Sequence, residues 1–238
     1  MAKGEGKVPE KQAGQANVDA FLEKVRLTSA GKKPGERGRL LFIMDATASR
    51  GPAWDMAARI QGEMFKSTTA LGGLEIQLAY YRGFGEFKAG QWTADEKTLL
   101  AQMTSVFCLA GETQIGKALA HAVNESKKQR LNALVFVGDC FEEDIDRVGK
   151  TAGELGLLGV PAFMFHEGND PIAAFAFQQV AKLTNGAYCQ FDQSSAQVLK
   201  DLLEAVAVFA AGGRLALEEM ARKRGGEVLK IAHQVKGG

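Results

Sequence analysis

From residue 40 onward the chain alternates short apolar runs with longer stretches of helical spacing. Residues 40–44 (LLFIM) are apolar at every position and stop at Asp45. Pro52 then stands where a first helical position belongs, and 54–68 repeats its apolar residues at three to four. Residues 74–82 read as a strand, with 84–87 as its hairpin partner. Helical spacing returns at 93–103, where Ala94, Leu99, Leu100 and Met103 repeat at roughly three to four, and again at 113–126. Residues 132–137 predict a strand, 145–155 a helix, 160–165 a strand, 171–183 a helix, 187–191 a strand and 194–210 a helix. The runs LLFIM, ALVFV and PAFMF are apolar throughout, as parallel strands covered on both faces should be. Alternating elements with short glycine-containing connections predict an α/β fold, a Rossmann-like open, mostly parallel sheet flanked by helices on both faces.

The two ends read differently. Residues 1–16 are polar and charged, Asn17 is placed to cap a short helix over 18–27, and 29–39 is a basic, Gly/Pro-containing linker. The tail 215–235 is amphipathic and broken at Gly225 and Gly226. The expected organisation is an extension over 1–37, a domain over 38–211 and a helical extension over 212–238.

Composition narrows the function classes. Hydrophobic residues make up 46% and charged residues 24%, an ordinary globular balance. With 29 Lys+Arg against 28 Asp+Glu the net charge is +1, which argues against a nucleic-acid partner held by an overall basic field. The three cysteines (Cys108, Cys140, Cys189) form no C-x-x-C pair and suggest free thiols in a reducing compartment. The first ten residues lack the apolar core of a secretory signal, and no apolar run reaches the ~18 residues of a membrane span. A cytoplasmic location is expected.

Candidate chemistry sits where apolar strands end in aspartate, at Asp45 and Asp139. Ligands in such sheets bind beyond the carboxyl ends of the strands. After the first strand, Asp45, Thr47 and Ser49 place oxygen side chains at every second position, so in an extended loop they face one point. Carboxylate and hydroxyl oxygens suit a hard cation such as Mg²⁺, which takes six oxygens and keeps several waters. Three ligands from one loop are too few, and Thr113 and Asp139 are candidates for the rest. Ser49 alone reads as a helix cap, but capping needs only one of the three.

The array Asp45-Ala-Thr-Ala-Ser49 resembles the D-x-S-x-S signature of von Willebrand factor type A (VWA) domains, which opens a metal-ion-dependent adhesion site (MIDAS). Two further matches follow in order. Gly111-Glu-Thr-Gln-Ile-Gly-Lys-Ala-Leu119 resembles the family's threonine segment, and Gly138-Asp139-Cys140 its aspartate after a central strand. The departures are Thr47 for serine, Glu112 for glycine and Cys140 for glycine. The resemblance covers about 38 to 210. It implies a site of Asp45, Thr47, Ser49, Thr113 and Asp139 binding a divalent cation, Mg²⁺ first with Mn²⁺ and Ca²⁺ as alternatives. It also implies a partner protein that completes the coordination with an Asp or Glu carboxylate.

A rival reading comes from another class. Gly111 through Gly116, Lys117 and Ala118 nearly spells a phosphate-binding loop, with Asp139 as its magnesium aspartate, and points to a nucleotide hydrolase. Ala118 lacks the needed hydroxyl, and Glu112 puts negative charge where phosphate would sit. No nucleophile and base are spaced as a catalytic set, so a non-enzymatic role is expected. Glu142, Glu143 and Asp144 read as the acidic start of a helix. His166 reads as an edge histidine, Cys140 as an inert thiol, and Trp54 as core. Trp54 and Arg50 together offer a surface reading beside the first loop. Phe163, Phe165, Phe175 and Phe177 read as packing.

Overall fold

β1 (Gly38–Asp45) is buried at all eight positions because it is covered on both faces and paired on both edges. It pairs in parallel with β2 (Leu74–Arg82) on one side and with β4 (Ala133–Gly138) on the other. The full order is β3-β2-β1-β4-β5-β6, completed by β3 (Glu86–Ala89), β5 (Ala162–Glu167) and β6 (Ala187–Phe191). Only β3 runs antiparallel, paired to β2. These elements come from a computed structural model that describes residues 37–68, 72–191 and 196–224. The expected helix over 18–27, the linker before Arg37 and the break at Gly225 and Gly226 lie outside the described residues.

Strand alternation splits the core in two. Leu40, Phe42 and Met44 of β1 join Val135, Val137, Phe163 and Phe165 on one face. That face is covered by α1 (Gly51–Ile60), α2 (Gly62–Thr68), α3 (Glu96–Thr104) and the buried first part of α7 (Ala196–Arg224). Leu41, Ile43, Leu134, Phe136 and Met164 face the other layer, made of α4 (Ile115–Lys128), α5 (Ile145–Leu157) and α6 (Pro171–Leu183). The architecture is the expected Rossmann-like α/β sheet with helices on both faces.

Several boundaries differ from expectation for local reasons. The helix expected over 54–68 is two helices separated at Gln61. Gly62 approaches α3 so closely that a Cβ there would lie 2.2 Å from Glu96 Oε1. The hairpin partner of β2 starts at Glu86, because Gly83 and Gly85 adopt positive φ and form the turn. α3 starts at Glu96: Asp95 accepts the Thr98 N–H at 2.8 Å, while Thr93 bridges back to Ile76. α7 continues past 210 but bends at Gly213 (φ 71°, ψ −167°). Among the described residues no helix is long and apolar enough to cross a membrane.

Phe136 anchors the second core, stacked on Tyr81 with centroids 6.3 Å apart and edge-on to Phe177 at 5.3 Å. Phe136→Ala should lower unfolding free energy by roughly 3–5 kcal/mol in a urea titration. A loss below about 1 kcal/mol would mean the site collapses around the gap and the rings do not carry this packing.

Candidate metal centre

The strand order reverses between β1 and β4, so the carboxyl ends of two adjacent strands open onto one crevice. β1 ends at Asp45 and β4 at Gly138, which puts Asp139 directly beyond the sheet. Gly138 keeps the approach narrow: a Cβ there would lie 2.8 Å from the Phe136 ring and 3.6 Å from the Asp45 Cβ.

Asp45 is fully buried and bonded through both oxygens. Its Oδ1 accepts the Thr47 N–H at 2.7 Å, and its Oδ2 accepts the Tyr81 hydroxyl at 3.0 Å. Tyr81 is delivered by register, as the residue paired with Asp45 across β1 and β2. Burial pushes the Asp45 carboxyl above its usual range; the Thr47 hydrogen bonds and the Arg50 charge oppose that, and the Asp139 charge adds to it. Burial, reinforced by Asp45, also pushes the Tyr81 phenol well up, so it remains a donor.

Hydrogen bonds stitch three loops together. The Ser49 hydroxyl donates to Asp139 Oδ2 at 2.8 Å, joining the loop after β1 to the loop after β4 across 90 residues. Thr113 exchanges two bonds with Glu142: its N–H donates to Glu142 Oε2 at 3.1 Å, and its Oγ1 accepts the Glu142 N–H at 3.0 Å. The loop bearing Thr113 is seated over the sheet edge. Leu109 N–H donates to the Ala46 carbonyl at 3.0 Å, and Gly111 packs where a Cβ would meet the Gly83 oxygen at 2.1 Å. Thr47 is half-buried, Ser49 exposed and Thr113 buried. Asp139 Oδ1 is buried with no hydrogen-bond partner.

This set of oxygens fits a hard divalent cation. Of the five candidate residues Ser49 and Asp139 meet directly and Asp45 holds the Thr47 amide, while Thr113 bonds to Glu142; a cation at this edge would offset the cost of ionising buried Asp45. Among the described residues no three His, Cys, Asp or Glu side chains gather as a metal-ligating group, so a cation here would draw on Thr and Ser hydroxyls.

The phosphate-loop reading is corrected by its context. The loop before α4 follows α3 rather than a strand. The amides a phosphate would take are filled by Glu143, which accepts the Ile115 N–H and, at 2.9 Å, the Gly116 N–H. Lys117 Nζ is turned to the Gly85 carbonyl at 2.9 Å. Glu143 thus starts α4 rather than its own neighbouring helix, and Asp144 alone caps α5. The surface reading of Trp54 and Arg50 is also corrected, since both are buried. Phe163, Phe165 and Phe177 are core, whereas Phe175 is exposed. Burial, then Glu142 and Asp139, pushes the Cys140 thiol up, consistent with an inert thiol. His166 is buried, its Nδ1 2.9 Å from the Tyr188 hydroxyl.

Solved structures share this arrangement of strands and helices. The SpRpn10 VWA domain matches at a TM-score of 0.55 and 15% identity, over 71% of this chain and 94% of its own. The vWF domain of the type V pili tip protein Mfa5 from Porphyromonas gingivalis matches at 0.58 and 10%, over 72% and 94%. The chain has the von Willebrand factor type A fold. A third VWA-like match is proximal thread matrix protein 1 from the mussel byssus with a zinc-occupied MIDAS motif, at 0.54 and 10%. It covers 72% of this chain, which spans just under half (46%) of that protein. No protein-family model matches the chain, and no curated protein matches it.

The residues at this edge of the VWA domain that the sequence did not single out are Tyr81 and Glu167; Glu142 and Glu143 were read as the start of the following helix but bond to the Thr113 loop and to the start of α4, and Arg50 was read as surface but is buried. Tyr81 was signalled by its place at the end of the strand paired to β1. The others depend on loops far apart in the chain.

The raised pKa of Asp45 has a definite sign. Ionising it costs the folded state, so the penalty grows as pH rises from the unfolded value of 3.8 through the higher folded value. In EDTA, Asp45→Asn should therefore unfold at higher urea concentration than wild type at pH 7. The gap should narrow as pH falls through that window; a pH-independent gap would overturn the assignment.

Proposed function

We propose that this VWA domain is a divalent-cation-dependent protein-binding module. The observation that carries the reading is the Ser49 hydroxyl on Asp139 Oδ2 at 2.8 Å, which closes the loop after β1 onto the loop after β4 beside buried Asp45. Asp45, Thr47, Ser49, Thr113 and Asp139 would hold the ion, Mg²⁺ in the first instance, with Mn²⁺ and Ca²⁺ as alternatives. When bound, the ion supplies a positive centre with a position open to a carboxylate of a partner protein. The chain's part is to hold hydroxyls, which leave most of the ion's charge uncompensated, and to keep Asp45 oriented through Thr47 and Tyr81. An incoming Asp or Glu gains most where the surroundings are partly dry.

The zinc-occupied MIDAS motif of the mussel protein supports a divalent cation in a protein of this fold, and the pilus-tip neighbour supports a role in protein contact. The module would extend over 38–211, with 1–37 and 212–238 as extensions, and a cytoplasmic location is part of this reading.

Calorimetry with Mg²⁺ tests it. Wild type should bind, Asp45→Asn and Thr113→Val should lose binding at least tenfold (about 1.4 kcal/mol) while staying folded by circular dichroism, and Lys117→Ala should bind as wild type. Equal affinity in all four chains overturns the site. Proteins retained from cell extract on immobilised wild type should be released by EDTA and not retained by Asp45→Asn.

A further inference from the structure

Arg50 follows the Asp45-Thr47-Ser49 array directly, and it is among the largest fully buried side chains, 1% exposed. Its Nη1 donates to Glu167 Oε2, at the carboxyl end of β5, and lies 3.9 Å from Asp139 Oδ2. That same Asp139 oxygen accepts the Ser49 hydroxyl. Arg50 Nε and Nη2, Glu167 Oε1 and Asp139 Oδ1 are all buried without hydrogen-bond partners.

A guanidinium stays charged at any pH a protein survives, so a fixed positive charge sits against one of the two carboxylates at the crevice. Burying such a charge is costly unless it is paired, and Glu167 supplies the pairing. Its two remaining donor groups are unsatisfied, although buried guanidinium donors are ordinarily all bonded. Packing alone does not account for an arginine here, because an apolar side chain of similar volume would fill the space without that cost.

We infer that Arg50 is a resident counter-cation of this site: held by Glu167, it partly neutralises Asp139 and competes with a divalent ion for that carboxylate. Arg50 is a positioning residue in this scheme. It lowers the site's affinity for a cation, and it leaves any bound cation with more unmet positive charge and so a greater demand for a carboxylate from outside. The inference rests on the cation-binding reading above, but the two fail separately.

The probe is Mn²⁺, with the free ion counted by its electron paramagnetic resonance signal. Arg50→Met alone leaves Glu167 buried and unpaired and invites misfolding, so the decisive variant is Arg50→Met with Glu167→Gln, which leaves neither charge orphaned. Arg50→Lys keeps the charge. The double variant should bind Mn²⁺ about tenfold or more tightly than wild type, and Arg50→Lys should stay within about threefold of wild type. If wild type shows no binding and the double variant binds, Arg50 is confirmed as the resident cation and the proposed function of the native site falls. If wild type binds and the double variant binds equally or more weakly, the inference about Arg50 is overturned while the cation site stands. If neither binds, both are overturned.

Discussion

The rest of the structure depends on β1 being held between two parallel neighbours. Parallel pairing with β2 and with β4 points three carboxyl ends at one edge, and reversal of the strand order there opens a crevice. Register decides what Asp45 meets, because a one-residue slip would send it to the opposite face. Register delivers Tyr81 opposite Asp45, and the chain direction delivers Asp139 beside it. Packing thus determines which polar groups meet, although none of them supplies the driving force.

The edge is electrostatically strained. Asp45 is buried and costly to ionise, Asp139 adds like charge, and Arg50 with Glu167 brings a pair of opposite charges beside Asp139. Local hydrogen bonds relieve part of the cost. Thr47, Tyr81 and Ser49 bind carboxylate oxygens, and the exchange between Thr113 and Glu142 fixes the third loop. An added positive centre beside these carboxylates would lower that cost.

Much of this was legible in the residues. LLFIM, ALVFV and PAFMF announced buried parallel strands because they are apolar at both parities, and the strand-terminal aspartates marked the sheet edge where the loops bearing Ser49 and Asp139 meet. Boundaries slipped where tertiary contact overrode local spacing, as at Gln61, where α2 turns against α3, and at Glu86, where Gly83 and Gly85 take the turn. Arg50 was misread because charge near a loop ordinarily means exposure. Its burial is set by Glu167, 117 residues away, and nothing in the neighbouring sequence reports that pairing. Glu143 was misread for a similar reason: it sits next to a helix it could begin but serves the start of α4 across 27 residues. Longer-range choices of this kind decided whether 111–118 could cradle phosphate.

At the opposite pole, Gly38 lies against the end of the buried part of α7, so closely that a Cβ would meet the Ala210 oxygen at 2.3 Å. The chain therefore enters and leaves the packed sheet side by side, at the end of β1 farthest from Asp45. A tether attached ahead of Gly38 would therefore pull on the end of β1 opposite the one that carries Asp45.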